Sequence, residues 1–299
     1  MAEKHERIQY ERPKRMASRQ KLLSIGIDLG GTKIKAGLVN KEGRLLHGVK
    51  EQTHGWGDPN DVVEQLSTML RYLADRADAD SVGPIGIGAA AQIEERSGAV
   101  TFAPNLGWSY FPLRERLEEV LGLRLLVTND VRAAAFGEWR FGAGKGYRDL
   151  VFVFVGTGIG GSVISGGRFI TGHANTAGEL GHTTVLVGGA KCRCPNYGCL
   201  EAVAGGWAIA LRAQELIAQH RLEGAALLDL ADGDSGRVTA RIVCDAAQRG
   251  DLLAQRVIDE AVAALIAGGT SFANAFSPRR MILGGGVIVF VAVALWLVY

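Results

Sequence analysis

The sequence predicts an α/β chain built from two similar halves. Three observations lead there. A buried strand runs into a glycine loop and out into a second strand at LLSIGID-LGGT-KIKAGLVN (22–40). The same pattern returns at DLVFVFVGTGIGGSVISGGRFI (149–170). Segments with helical apolar spacing follow each unit, and a theme repeated at this scale implies two related halves.

The elements follow in order. Ile34, Ala36 and Leu38 alternate with small or polar residues, the period of a strand, so the first glycines turn a hairpin. Asp58-Pro59 starts a helix, with Asp58 as N-cap and Pro59 in the first turn. Val62, Val63, Leu66, Met69, Leu70 and Leu73 then form one apolar face. VGPIGIGAA (82–90) reads as a strand running into a loop. Leu113, Leu117, Val120 and Leu121 predict a helix over 112–121. LRLLVTND is a strand ending on Asp130, and VRAAAFGEWRF begins another helix. Helices dominate from 200 to 267, with a break at Gly205-Gly206. RMILGGGV (280–287) is a late strand with a third glycine loop.

Composition narrows the function. The chain has 299 residues, 47% hydrophobic and 21% charged, enough for a sizeable core. Its formal net charge of +2 supplies no global basic field, so nucleic acid is not an expected partner. Four cysteines do not make a disulfide framework. With no secretory signal visible, the expected location is cytoplasmic. Residues 1–21 hold seven Lys or Arg and no apolar stretch, and read as a disordered basic tail. Residues 281–299 carry no charge, but Gly284, Gly285 and Gly286 interrupt them. The 13 apolar residues left are too few to span a bilayer, so a membrane anchor is not expected.

GTGIGG (156–161) formally matches the dinucleotide fingerprint G-x-G-x-x-G. That reading needs a helix after the loop, whereas SVISGGRFI reads as strand and turn, so it is rejected. No P-loop motif occurs either. A glycine hairpin can still bind phosphate, because backbone N–H groups without Cβ atoms around them can converge on an anion. Taken singly such a loop is an ordinary tight hairpin. Three of them, one holding Asp28 and Thr32, point to a nucleotide.

IGIDLGGTKIKAGLV (25–39), TNDVRAAAFGE (128–138), VGTGIGGSVISGG (155–167), AGELGH (177–182), CRCPNYGCLE (192–201) and ILGGGV (282–287) occur in that order. Together they resemble the ROK (Repressor, ORF, Kinase) family of bacterial sugar kinases and related repressors, over roughly residues 22–287. The resemblance implies a two-domain actin/hexokinase-like (ribonuclease H-like) fold with a cleft between domains, of about 22–127 and 128–287. It implies ATP-dependent phosphorylation of a hexose, with glucose at its 6-hydroxyl as the first expectation, Mg²⁺ as companion ion and a homodimer. An N-acetylhexosamine kinase is the alternative. A sugar-sensing repressor would carry an N-terminal helix-turn-helix, for which the residues before the first strand are too few.

Residue roles follow from the same resemblance. Asp130 is the expected catalytic base, although its position at the start of a helix also suits a plain N-cap. Asn105, Asn129, Asp130, Glu179, His182 and Glu201 are expected on the sugar. Asp28 is expected near the phosphates and Mg²⁺ through water. Gly30, Gly31 and Thr32 line the γ-phosphate side, Gly156, Thr157, Gly158 and Gly160 form a second phosphate loop, and Gly284, Gly285 and Gly286 border the adenosine. Lys33 is expected to be a surface charge.

Three of the four cysteines fall within eight residues. His182, Cys192, Cys194 and Cys199 make a Cys₃His donor set suited to structural zinc, with unmetallated thiols as the other reading. Zinc there would brace the loop carrying Glu179, His182 and Glu201. Cys244 reads as a buried helix residue. Four departures from the family pattern stand out: Pro195 in place of a glycine, Arg132 in place of Asn, Ala89–Gln92 in place of a loop that often reads Pro-Gly, and the apolar end 288–299. That end is expected to be a truncation or frameshift.

Overall fold

Leu23, Ile25, Ile27 and Leu29 point to one side of the first strand and are buried, while Gly26 and Asp28 face the other way and are exposed. That alternation sets which face of the first sheet becomes core. The computed structural model describes residues 23–54, 58–77 and 82–287. The expected basic tail and apolar end lie outside the described residues.

The chain divides into two compact units. The first runs through Lys145 and takes in Gly172–Thr176; the second holds Gly146–Thr171 and the chain from Ala177 onward. The first unit contains β1 (Leu23–Leu29), β2 (Lys33–Val39), β3 (Leu45–Gln52), α1 (Pro59–Ala74), β4 (Val82–Ala89), β5 (Gln92–Ile93), β6 (Val100–Phe102), α2 (Leu113–Leu121), β7 (Leu125–Asn129) and α3 (Asp130–Phe141). Its main sheet has the order β3-β2-β1-β4-β7. The β1–β2–β3 meander is antiparallel, and β4 and β7 join in parallel. The sequence reading divides the chain near 127; here β7 completes the first sheet by pairing with β4, and α3 stays with it.

Helix α1 starts as its sequence requires. Asp58 accepts the Asn60 N–H at 2.9 Å, and Pro59 follows in the first turn, where its missing N–H costs nothing. All six apolar residues expected on its inner face are buried in the core of this unit. In α2, Leu113 and Leu117 are buried, but Val120 is 44% exposed and does not belong to the core face expected for it. It lies one position before Leu121, off the i, i+4 row that Leu113, Leu117 and Leu121 define.

The second unit contains β8 (Leu150–Val155), β9 (Ile159–Ser165), β10 (Arg168–Phe169), α4 (Glu201–Ala204), α5 (Gly206–Gln219), α6 (Ala225–Leu230), α7 (Ala240–Gln248), α8 (Leu252–Phe276) and β11 (Arg280–Gly284). Its sheet order, β10-β9-β8-β11, reproduces β3-β2-β1-β4. In each, a hairpin partner is antiparallel on one side and a later strand parallel on the other. The two halves expected from the glycine hairpins are therefore the same topology twice. Helix α8 continues past the expected 267 to Phe276, because Gly268 and Phe272 extend its buried face. Cys244 is buried in α7, as expected, and burial pushes its thiol up to about 11. No described helix is long and apolar enough to cross a membrane.

An ion pair ties α5 to α8. Arg212 donates Nε to Glu260 Oε2 at 2.7 Å and Nη2 to Oε1 at 3.0 Å. This forked bond from Arg212 holds the Glu260 carboxyl below its usual range, against a smaller opposing effect of burial. A depressed folded-state pKa stabilises the fold above the unfolded value and ceases to do so as pH falls through the folded one. Glu260→Gln should therefore lower stability at pH 7 and flatten its loss below about pH 4. Urea midpoints across pH read this directly; parallel curves for the two proteins would refute it.

Candidate active site and metal centre

In the first unit, the β1–β2 hairpin is tightened by its own backbone and by Thr53. Gly30 N donates to Lys33 O at 3.1 Å, Thr53 Oγ1 to Gly30 O at 2.7 Å, and Thr53 N to Thr32 O at 2.9 Å. Gly31 lies so close to the 103–108 turn that a Cβ would overlap the Asn105 carbonyl. The first glycine loop and Asn105 are thus brought together by backbone contact. Asp28 stands beside this loop, exposed, and accepts Lys35 Nζ at 3.0 Å. Lys33 is exposed, as expected.

Asp130 sits where β7 hands over to α3. The N-cap is Asn129: its Oδ1 accepts Arg132 N at 3.1 Å. Its Nδ2 donates to Ala91 O at 3.2 Å and to Asp130 Oδ1 at 3.0 Å. The plain N-cap reading of Asp130 therefore passes to its neighbour. Asp130 is the first residue of α3, its Oδ1 also accepting Val131 N at 2.9 Å. Helix N–H groups and the amide of Asn129 aim partial positive charge at this carboxylate.

In the second unit, three backbone segments meet at the end of β8. The β8–β9 turn is closed by Gly156 N to Gly158 O at 2.9 Å. The start of α5 donates into it, Gly206 N to Gly156 O at 2.9 Å and Trp207 N to Thr157 O at 3.0 Å. After β11, Val287 N donates to Val155 O at 3.0 Å, which sets Gly284–Gly286 beside the second glycine loop. At Gly156 and Gly286 an added Cβ would meet nothing within 4 Å, so open space adjoins both loops. Glu201 opens α4 and holds the loop from the other side. Its Oε2 accepts Ile159 N at 2.8 Å and its Oε1 accepts Trp207 Nε1 at 3.2 Å.

The AGELGH motif lies against β9, where a Cβ on Gly181 would overlap the Ile159 carbonyl. Glu179 precedes the single turn Leu180–His182, its carbonyl accepting His182 N at 3.0 Å, and that turn presents the histidine to the cysteines. His182, Cys192, Cys194 and Cys199 bring one donor atom each to within 4.8 Å of one another. His182 Nδ1 lies 3.6 Å from Cys192 Sγ, and Cys194 Sγ lies 3.7 Å from Cys199 Sγ. Cys192 and Cys199 are buried. Burial, then the Cys194 and Cys192 thiols, push Cys199 up to about 12. A bound cation would offset that cost by stabilising thiolate. The cluster can hold one metal ion and leaves no protein-side position open.

The expected residues therefore fall into one group per unit: Asp28, Gly30, Gly31, Thr32, Asn105, Asn129 and Asp130 in the first; the two later glycine loops, Glu179, His182, Glu201 and the cysteines in the second. Sequence reasoning missed Lys35, Thr53 and Trp207. Lys35 was within reach, since the hairpin places it directly opposite Asp28. Trp207 was not, because its partners, Glu201 and the Arg193 guanidinium 4.7 Å from its ring centre, are set by tertiary packing. Gly205-Gly206, read as a helix break, is where α5 meets the second glycine loop.

Two sheets of one topology, glycine loops at their strand ends and an aspartate opening a helix are features of the phosphotransferase class that contains the actin/hexokinase-like fold. The model of the ROK family matches residues 24–294, and the chain belongs to that family. A glucokinase of Streptomyces coelicolor is 36% identical over 265 residues, 89% of this chain and 82% of that protein. An N-acetylmannosamine kinase of Escherichia fergusonii is 33% identical over 234 residues, 75% of this chain and 78% of that protein. The crystal structure of a ROK family glucokinase from Streptomyces griseus in complex with glucose and AMPPNP has a TM-score of 0.78 and 35% identity. It covers 93% of this chain and 90% of that one.

The contact at Gly31 is testable by stability alone. Gly31→Ala should destabilise the first unit by about 1–3 kcal/mol, because its Cβ would strike backbone. Gly26→Ala, whose Cβ would meet nothing within 4 Å, should be neutral or mildly stabilising. Equal urea midpoints for the two variants would refute the close approach.

Proposed function

We propose that this chain phosphorylates a hexose with ATP as donor, glucose at its 6-hydroxyl being the first substrate to test. The observation that carries this reading is Asp130, an aspartate at the first position of α3 with one carboxylate oxygen oriented by Asn129 and Val131 N–H. A base so held can take the hydroxyl proton as the sugar oxygen attacks the γ-phosphorus. The new O–P bond forms, the bridging P–O bond breaks, and ADP leaves. Membership of the ROK family and 35% identity to a glucokinase solved with glucose and AMPPNP support the substrate class.

In this reading, Asn105, Asn129, Glu179, His182 and Glu201 fix the sugar hydroxyls. Each Glu201 oxygen retains a second lone pair beyond the bond it already accepts. Gly30, Gly31, Thr32, Gly156, Thr157, Gly158 and Gly160 offer backbone and hydroxyl groups to the phosphates, and Gly284, Gly285 and Gly286 border the adenosine. The open space at Gly156 and Gly286 fits such a role. Asp28 is the carboxylate that would hold Mg²⁺ through water, with Lys35 as its present partner. Mg²⁺, when bound, would neutralise charge building on the phosphates.

Zinc suits the cysteine cluster. A tetrahedral ion with Zn–S of about 2.3 Å and Zn–N of about 2.0–2.1 Å spaces its ligands about 3.8 Å (S to S) and about 3.6 Å (S to N). The 3.7 and 3.6 Å separations match those edges. With four protein ligands, the ion would brace the loop and activate no water. His182 turns Nδ1 to the cluster, which leaves Nε2 for a hydroxyl. A cytoplasmic homodimer completes the reading. A second reading, N-acetylhexosamine kinase, is favoured by the N-acetylmannosamine kinase relative.

Coupled ADP release across glucose, mannose, fructose, N-acetylglucosamine and N-acetylmannosamine decides between them. Turnover should favour glucose and fall by about 10²–10⁴-fold in Asp130→Asn. An Asp130→Asn variant within tenfold of the parent would remove Asp130 as base, and turnover confined to an acetylated sugar would install the second reading. Purified protein should also carry about one zinc per chain. Its removal by chelator should raise sugar KM by about 10–100-fold. Metal-free protein with unchanged KM would end the bracing role.

A further inference from the structure

Arg132 and Asn175 make an arrangement that none of the roles above uses. Asn175 is one of three described non-glycine residues with positive φ, at 58°. That backbone conformation is uncommon for a side-chain-bearing residue and needs support from its surroundings. Three bonds supply the support. Arg132 Nη1 donates to Asn175 Oδ1 at 2.6 Å, Arg132 Nη2 to Asn175 O at 3.0 Å, and Asn175 Nδ2 to Ile93 O at 2.8 Å. The guanidinium thus grips side chain and main chain of one residue at once, a fork that lysine cannot reproduce.

The other end of Arg132 is equally fixed. It sits in the first turn of α3, two residues after Asp130, and its own N–H is held by the Asn129 cap at 3.1 Å. Segment Gly172–Thr176 groups with the first unit although the chain on both sides of it belongs to the second. Ala177 N closes the segment onto Thr171 O at 3.0 Å. The next residues are the AGELGH motif with Glu179 and His182. Arg132 therefore places a cation where it fastens this segment to the helix of the proposed base.

We infer that Arg132 is a positioning residue for sugar binding: through Asn175 it anchors the 172–176 segment, from which the chain delivers Glu179 and His182. The inference rests on the kinase reading for its consequence and on geometry alone for the anchor. Ground-state sugar contacts should loosen without it, while the proton transfer at Asp130 and the nucleotide loops are left as they are. Glycine adopts φ near 58° readily, so Asn175→Gly removes the side-chain bonds without straining the backbone. Arg132→Met keeps the stem and removes the fork.

The test measures steady-state kinetics and amide hydrogen exchange of the unliganded full chain for Arg132→Met, Asn175→Gly and the double variant. Each single variant should raise sugar KM by about tenfold, with kcat and ATP KM within about twofold. The losses in the double variant should be smaller than the sum of the two singles, since both remove the Nη1–Oδ1 bond. Amides in 172–182 should exchange at least about tenfold faster in both single variants. Unchanged exchange there overturns the anchor. Sugar KM within twofold of the parent, or losses shared equally by kcat and ATP KM, overturns the positioning role. If the parent turns over no sugar, the kinase reading fails by itself, and the exchange rates still decide the anchor.

Discussion

The carboxylate of Glu201 accepts the Ile159 N–H with one oxygen and the Trp207 indole with the other. Most of what is specific to the second unit hangs on that pair of bonds. Ile159 is the first residue of β9, so Glu201 sets where the second glycine loop ends. Trp207 lies at the start of α5, whose first N–H groups cap the loop from behind. The indole also receives the Arg193 guanidinium from between two of the cysteines. A half-buried carboxylate bonded to two N–H donors gains directional bonds, so it locks three segments where an apolar contact would allow them to slide.

The first unit solves a similar problem with an amide. Asn129 caps α3 and steadies both the Ala91 carbonyl and the Asp130 carboxylate. An amide accepts through its oxygen and donates through its nitrogen at once, which an aspartate carboxylate cannot do. The division of labour between Asn129 and Asp130 follows: one residue satisfies the helix end, and the next is left to carry charge. Arg132 extends the same turn by one further grip, on Asn175.

The cysteine cluster joins these themes to stability. Four donors drawn from two short segments, 182 and 192–199, converge within 4.8 Å with few apolar neighbours of their own. A loop so poor in core depends on its donors for order. The same argument explains why the histidine lies in a motif shared with Glu179, since whatever orders the cluster also orders that turn.

Much of this was legible in the residues. The glycine hairpins, the Asp58-Pro59 helix start, the inner face of α1 and the Cys₃His spacing depend on local geometry and periodicity, which a sequence carries directly. The repetition of one hairpin theme even announced the repeated sheet order. What remained hidden depends on residues far apart in the chain. The membership of β7 and α3 in the first unit, the hold of Glu201 on Ile159, and the Arg132–Asn175 fork across 43 positions are set by packing. Local sequence determined which segments are strand, loop and helix. Only the tertiary structure decided which polar groups meet, because a hydrogen bond between distant residues leaves no periodicity to read.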